Sequence, residues 1–143
     1  MRKRGSILGR IAAANPILKA IFMPFLRMRF GREGYVVIKV VTEEGVGMDS
    51  LHRSAAIASL KSDDAISVCL RKFCGDVGAP PDRFVEMKGL GVSAQFSGQM
   101  IHLGNAEYLN GLKIETPPVT GSVAFVGLQD RLLGYYRLLG LGG

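Results

Sequence analysis

The sequence predicts an α+β fold, with an antiparallel sheet of about five to six strands flanked by a helical pair and preceded by a basic amphipathic helical arm. Short apolar or alternating segments separated by glycine-containing turns predict the strands and hairpins. Two consecutive segments repeat their apolar residues with the period of a helix, which predicts the helical pair. The uneven placement of charge predicts the arm.

Charge divides the chain into two parts. Of its 18 Lys and Arg residues, eight lie within residues 1–32, where there is no Asp or Glu. The other ten oppose all 12 acidic residues, so residues 33–143 are mildly acidic although the whole chain carries a formal charge of +6. We therefore predict a cationic arm over residues 1–32 and a globular domain over residues 33–143. The basic residues of the arm are Arg2, Lys3, Arg4, Arg10, Lys19, Arg27, Arg29 and Arg32.

The apolar residues of the arm predict an interfacial segment. Its longest uncharged run, residues 11–18, is shorter than the roughly 20 residues that a membrane-spanning helix needs. Asn15-Pro16 is typical of a helix start, and Pro24 is expected to kink or end that helix. An apolar stripe with cationic flanks favours a membrane surface or an acidic partner. The stripe consists of Ile17, Leu18, Ile21, Phe22 and Phe25.

Two other interpretations of the arm stay open. An acid-free, Arg-rich N-terminus is also typical of targeting segments, and the amphipathic stripe is also compatible with packing on the domain. Nucleic-acid binding is disfavoured because the sequence shows neither aromatic stacking platforms nor a known reading motif. We expect a cytoplasmic location, peripheral to a membrane.

The domain is expected to begin with a strand and two helices. Residues 35–41 are rich in β-branched residues and predict the strand. Asp49 or Ser50 is expected to start a helix that runs to about Lys61, and Ser62 is expected to cap the next helix. The apolar positions are Leu51, Ala55, Ala58 and Leu60 in the first helix, and Ile66, Cys69, Leu70 and Phe73 in the second.

The second half of the domain is expected to be mainly hairpins. Residues 84–88 and 91–96 alternate apolar and polar side chains, and Ser97-Gly98 predicts a turn into residues 99–103. Asn105 is expected to cap a short helix over residues 106–109. A second hairpin is predicted from residues 121–129 and 132–139, turning at Asp130-Arg131.

The side chains that could carry chemistry are few. Cys69 and Cys74 are five positions apart, which matches neither a redox motif nor a zinc half-site, so ordinary buried or half-buried thiols are expected. His52 and His102 fall on different elements and are expected to be surface or strand histidines. We therefore expect no metal site and no catalytic residues.

Glycine and neighbouring motifs give the domain a resemblance to a known family. In order, the chain carries Gly89-Leu-Gly-Val92, a turn at Gly98, Leu103-Gly-Asn105, and Leu133-Gly-Tyr135. Residues 33–139 thereby resemble the nucleotide-binding domain of heavy-metal-transporting P-type ATPases. The resemblance implies that a nucleotide pocket, if retained, is lined by Gly89, Gly91, Gly104 and Asn105.

Other positions depart from the pattern of that family. Asp64 stands where the family has the histidine of its serine-glutamate-histidine-proline motif, and Lys61 is the closest match to a family glutamate. The DKTGTLT loop that carries the phosphorylated aspartate is absent. The resemblance therefore implies a degenerate, stand-alone domain without enzymatic activity, in which ATP binds weakly or not at all.

These observations favour a non-catalytic accessory or regulatory interaction module. Its arm would hold it at a membrane surface or membrane protein, and a metal-transporting ATPase is one such partner. Two alternatives stay open: a sensor that binds nucleotide weakly through the four pocket residues, and one part of a split ATPase. No cofactor is expected apart from weakly bound ATP.

Overall fold

An antiparallel six-stranded sheet organises the domain in the computed structural model, which describes residues 34–75 and 80–141. The strand order is β1-β6-β5-β4-β3-β2, so the first and last strands of the domain are neighbours. The predicted α+β class is confirmed. The strands are β1 Tyr35–Thr42, β2 Arg83–Met87, β3 Gly91–Phe96, β4 Gln99–Gly104, β5 Ser122–Leu128 and β6 Arg131–Gly140.

The helices lie on the two faces of the sheet. The predicted pair, α1 Met48–Ser59 and α2 Ala65–Cys74, packs against the main core, to which the sheet contributes residues such as Ala124 and Val126. The short helix α3, Ala106–Gly111, belongs to a second cluster with Phe125. Because successive side chains of a strand point to opposite faces, α3 lies on the face away from the helical pair.

The starts of α1 and α2 differ from the prediction. Gly47, and not Asp49 or Ser50, is the N-cap of α1, and its extended backbone accepts the first helical hydrogen bond from Leu51. Asp64, and not Ser62, is the N-cap of α2, where its carboxylate accepts from the Ile66 amide at 3.1 Å. The Ser62 hydroxyl is instead shared between the Asp64 amide and a β2 carboxylate, a contact that local sequence does not reveal.

One predicted core position and one predicted turn are also wrong. Phe73 is 40% exposed and lies at the rim of the core, where its ring is nearly perpendicular to the His52 and Tyr136 rings. The last hairpin turns at Gln129-Asp130, one residue earlier than predicted. Gln129 holds this turn because it both donates to and accepts from the backbone of Met100, so a non-local contact sets the register.

Other local predictions are confirmed. Ser97 and Gly98 both have positive φ, 53° and 77°, as a tight two-residue hairpin requires. Asn105 caps α3 by accepting from the Tyr108 amide at 2.9 Å.

The arm over residues 1–32 lies outside the described residues, and none of the helices that the structure describes is long and apolar enough to cross a membrane.

Candidate functional site

A cleft of about 240 Å³ opens between the start of α2 and the sheet. The four residues predicted to line a nucleotide pocket, Gly89, Gly91, Gly104 and Asn105, all line this cleft, and so does Asp64. Lys61 is exposed and is not among the lining residues. The apolar part of the wall comes from Val92, Leu103, Ala124 and their neighbours.

Gly91 and Gly104 lie directly opposite each other on β3 and β4. A Cβ atom on Gly91 would overlap the Leu103 carbonyl oxygen, and it would lie 2.6 Å from Cδ2 of Tyr108. A Cβ atom on Gly104 would lie 2.8 Å from that same ring atom. The two glycines therefore allow the strands and the Tyr108 ring of α3 to approach closely, which is a packing role that the sequence analysis missed.

Asn105 and Gly89 are joined at the mouth of the cleft. The Asn105 side-chain amide donates to the Gly89 carbonyl oxygen at 3.2 Å, while its oxygen caps α3. The Asn105 backbone amide donates to the Leu90 carbonyl at 2.9 Å. Gly89 has φ +81°, a backbone conformation that favours glycine. Asn105 thus fixes the turn that forms this wall, with both the nitrogen and the oxygen of its side-chain amide engaged.

The charge of the cleft is negative. Asp64 and Glu86 both line it, and none of the described lining residues is Lys, Arg or His. The Ser62 hydroxyl donates to Glu86 Oε2 at 3.0 Å and accepts from the Asp64 amide at 3.1 Å. Ser62 therefore links Glu86 of β2 to Asp64, the N-cap residue of α2, through two hydrogen bonds.

Arg71 positions the segment that carries these groups. Its Nη1 atom donates to the carbonyl oxygens of Ser59, Leu60 and Ser62, the last two at 3.0 Å. These bonds satisfy carbonyls at the end of α1 and hold the link to α2. The role of Arg71 was not anticipated, because its partners precede it by nine or more residues.

His102 belongs to a buried hydrogen-bonded chain on the α3 face. Its Nδ1 atom lies 2.6 Å from Ser93 Oγ, which in turn lies 2.5 Å from the Tyr108 hydroxyl. Burial lowers the pKa of His102 from its ordinary value of 6.5, which favours the neutral ring. This arrangement is consistent with a Ser93 hydroxyl that donates to a neutral imidazole and accepts from Tyr108.

A second polar cluster lies in the core between α1, α2 and β6. His52 Nδ1 is 2.7 Å from the Tyr136 hydroxyl, and Cys74 Sγ is 3.3 Å from the same oxygen. Burial raises the pKa of Cys74 to about 11 and that of Cys69 to about 12, so both are inert thiols at neutral pH. Burial also raises the pKa of Tyr136 and lowers that of His52.

Neither cluster supplies the cleft with a nucleophile, because Ser93, His102 and Cys74 are not among its lining residues. In the part of the chain that the structure describes, no group of three His, Cys, Asp or Glu side chains could hold a metal ion. The described residues of the cleft can therefore offer a neutral backbone wall, apolar contacts and two carboxylates to a ligand.

Known proteins resemble this chain in structure and not in detectable sequence similarity. No family model matches the chain, and no curated protein matches it. The N-domain of HMA6, a copper-transporting P-type ATPase, superposes with a TM-score of 0.61 at 17% identity, covering 73% of this chain and 98% of that domain. The N-domain of HMA8, another copper-transporting P-type ATPase, gives 0.59 at 14% identity, covering 71% of this chain and 98% of that domain.

A whole pump shows the same likeness over one of its parts. A zinc-transporting PIB-type ATPase in its E2.Pi state gives a TM-score of 0.59 at 16% identity, covering 75% of this chain but only 19% of the pump. The domain therefore has the fold of the N-domain of metal-transporting P-type ATPases.

Proposed function

We propose that the chain is a non-catalytic interaction module, built on the N-domain fold and held at a membrane by its basic arm. The observation that carries the non-catalytic part is the charge of the cleft. Asp64 and Glu86 line it, and no basic side chain among the described lining residues opposes them.

Electrostatics argue against ATP as the ligand of this cleft. Two unit charges of the same sign 4 Å apart repel by about 4 kcal/mol near a protein surface, so carboxylates disfavour a triphosphate beside them. The Asp64 carboxylate can accept hydrogen bonds but has none to donate when ionised. The cleft consequently suits a neutral or cationic group better than a nucleotide.

Titration with ATP tests this part of the proposal. We expect millimolar ATP to leave the amide signals of Gly89, Gly91, Gly104 and Asn105 unchanged in the labelled full chain. In the double variant D64N/E86Q the same titration should shift them, because the repulsion is gone. Saturable ATP shifts in the wild-type protein, confined to the cleft, would contradict the proposal.

The arm carries the attachment. Its eight basic residues within residues 1–32 have no acidic residue among them, and basic residues near an anionic leaflet contribute about 1 kcal/mol each at the surface. At the membrane the module would be placed beside membrane proteins, and a metal-transporting ATPase, a pump of the kind that contains this fold, is one candidate partner.

Vesicle sedimentation tests the attachment. The full chain should pellet with phosphatidylserine-containing vesicles at low salt and be released at high salt. A full-length variant with arm residues Arg2, Lys3, Arg4, Arg10, Lys19 and Arg27 changed to Gln should stay in the supernatant. Equal recovery of the variant and the wild-type protein in the pellet would refute the anchor.

The cleft itself favours a second candidate, a sensor of an uncharged nucleoside. The Gly89 to Gly91 turn and Gly104 present backbone to the cleft, and Leu103 and Val92 give it an apolar wall. Titration with adenosine and with ATP separates the two functions. Shifts at the cleft with adenosine would establish the sensor, whereas silence with both ligands would remove it.

A further inference from the structure

Two like charges lie directly opposite each other on the face of the sheet away from α1 and α2. Lys39 of β1 pairs in register with Arg137 of β6. The flanking β6 residues Tyr136 and Leu138 belong to the main core, so Arg137 points to the other face. Like charges in directly opposed positions of an antiparallel pair are destabilising. The sequence nevertheless carries both at this point of the sheet.

Arg137 carries a second unfavourable feature. Its Nε atom is buried and has no hydrogen-bond partner among the described residues. The guanidinium lies against the backbone of Gly121, where a Cβ atom would come within 3.3 Å of Nη2. An unpartnered buried donor is rare in folded proteins, and it calls for an acceptor. An anionic group beside the partly exposed Lys39 and Arg137 would neutralise the repulsion between them.

The neighbouring side chains on this face are amphipathic. Tyr135, Arg137 and Leu139 alternate with core residues along β6 and so share one face. Leu139 is 46% exposed, which is unusual for a large aliphatic side chain on a strand. We call Lys39, Tyr135, Arg137 and Leu139 the outer basic face. Lys39 and Arg137 are partly exposed beside it. Apolar and basic side chains together are typical of surfaces that bind anionic lipid.

The place of the arm in the sequence indicates what would bind the outer basic face. Residues 1–32 join the domain immediately before β1, the strand that carries Lys39. They contain no acid, so they cannot themselves supply the anionic group. The arm and the outer basic face both carry positive charge, and an anionic lipid surface complements both.

We propose that the outer basic face lies on an anionic phospholipid surface, with lipid phosphate or carboxylate groups accepting from Arg137 and Lys39 and with Leu139 in the interfacial layer. This rests on the membrane attachment proposed above, and it adds a second contact and an orientation. The helical pair α1 and α2 would then face away from the membrane.

Charge removal in the full chain tests the contact. The variant K39Q/R137Q should bind phosphatidylserine-containing vesicles more weakly, by roughly fivefold for each charge removed. The matched control R53Q/K72Q removes the same charge from exposed positions on α1 and α2, and it should bind like the wild-type protein. Equal loss in both variants would show a net-charge effect and would overturn the proposal.

A measurement on the wild-type protein keeps the proposal testable if the variant folds poorly. Vesicles that contain spin-labelled lipid should broaden the amide signals of Tyr135, Arg137 and Leu139 more than those of α1 and α2. Broadening confined to α1 and α2, or none in the domain, would overturn the orientation. Binding to an acidic peptide but not to vesicles would do so as well, and would point to a protein partner.

Different results would contradict the proposed membrane anchor and the proposed lipid contact of the outer basic face. If the arm variant releases the chain from vesicles while K39Q/R137Q binds normally, the anchor stands and the outer basic face is not a lipid contact. If K39Q/R137Q weakens binding and the arm variant does not, the face stands and the arm is not the anchor.

Discussion

Tyr108 explains at the scale of single residues why two glycines face each other beside the cleft. Its ring occupies the space that side chains on Gly91 and Gly104 would fill, and its hydroxyl reaches Ser93 Oγ at 2.5 Å. The glycines are therefore required by packing whether or not a ligand enters the cleft. Glycines that resemble a nucleotide-binding motif are thus insufficient to assign nucleotide binding to this chain.

Adding a methyl group at this position should be costly. We expect Gly91→Ala to lower the free energy of unfolding by about 1–3 kcal/mol, because the Cβ atom would overlap the Leu103 carbonyl and the Tyr108 ring. Gly111→Ala is the matched control, because nothing lies within 4 Å of its Cβ position and it is helical. Urea denaturation measures both, and equal stability of the two variants would show that the overlap is relieved at no cost.

The buried histidines should make stability fall in mild acid. Burial lowers the folded-state pKa of His102 and of His52 below 6.5, so below that pH the unfolded chain binds protons that the folded chain does not. The stabilisation is complete above about pH 6.5 and is lost as pH falls through the folded-state values. We expect His102→Asn to reduce this slope in denaturation curves between about pH 7 and pH 5. An unchanged slope would mean that His102 does not titrate on unfolding.

At the scale of elements, capping side chains couple the helices to the cleft. Asp64 begins α2 and Asn105 begins α3, and both residues also line the cleft. The Asn105 side chain makes a second hydrogen bond at the cleft, because its amide nitrogen also donates to the Gly89 carbonyl oxygen. The cleft walls therefore depend on the ends of two helices.

Substitutions of the two capping residues should change the free energy of unfolding by different amounts. Asn105→Ala should lower the free energy of unfolding by about 1–2 kcal/mol, since it removes a cap and a second hydrogen bond. Asp64→Asn should leave stability nearly unchanged, because asparagine caps as well as aspartate does. Thermal denaturation measures both changes. A larger loss for Asp64→Asn than for Asn105→Ala would reverse this ranking.

Elements that rest on local interactions are the ones that the sequence predicts well. The β-branched run of β1, the Ser97-Gly98 turn and the Asn105 cap all act within a few residues. The errors have non-local causes. Ser62 was expected to cap α2, but its hydroxyl is bonded to a carboxylate 24 residues away.

The same distinction holds at the cleft. The four residues that motif order assigned to a nucleotide pocket line one cleft, but motif order could not reveal the Tyr108 ring on the glycine pair or the Glu86 carboxylate. These contacts depend on how α3 and β2 pack. Whether the cleft binds a ligand remains a prediction for the titrations above.

At the scale of the whole molecule, one sheet carries a separate core on each face. The larger core, between the sheet and the helical pair, contains Cys69, which is 4% exposed. Burial raises the pKa of its thiol to about 12, so the reactive thiolate is scarce while the domain is folded. This makes Cys69 an internal reporter of opening of the domain.

Alkylation of Cys69 should therefore follow unfolding. We expect iodoacetamide to modify it many times more slowly in the native chain than in urea, with a rate that tracks the population of open molecules. The variant Cys74→Ala removes the half-buried second thiol and simplifies the mass-spectrometric measurement. Rapid native modification of Cys69 would indicate local opening of α2 without global unfolding.

The pairing of β1 with β6 ends in a hydrogen bond of 2.8 Å from the Leu141 amide to the Gly34 carbonyl. The two ends of the described domain therefore lie side by side, at one end of the β1–β6 pair. A domain with adjoining termini can be inserted into a surface loop of a host protein, because the host residues on either side need not move apart. The same architecture can thus be exchanged between proteins as a self-contained insert, with its cleft and both cores intact.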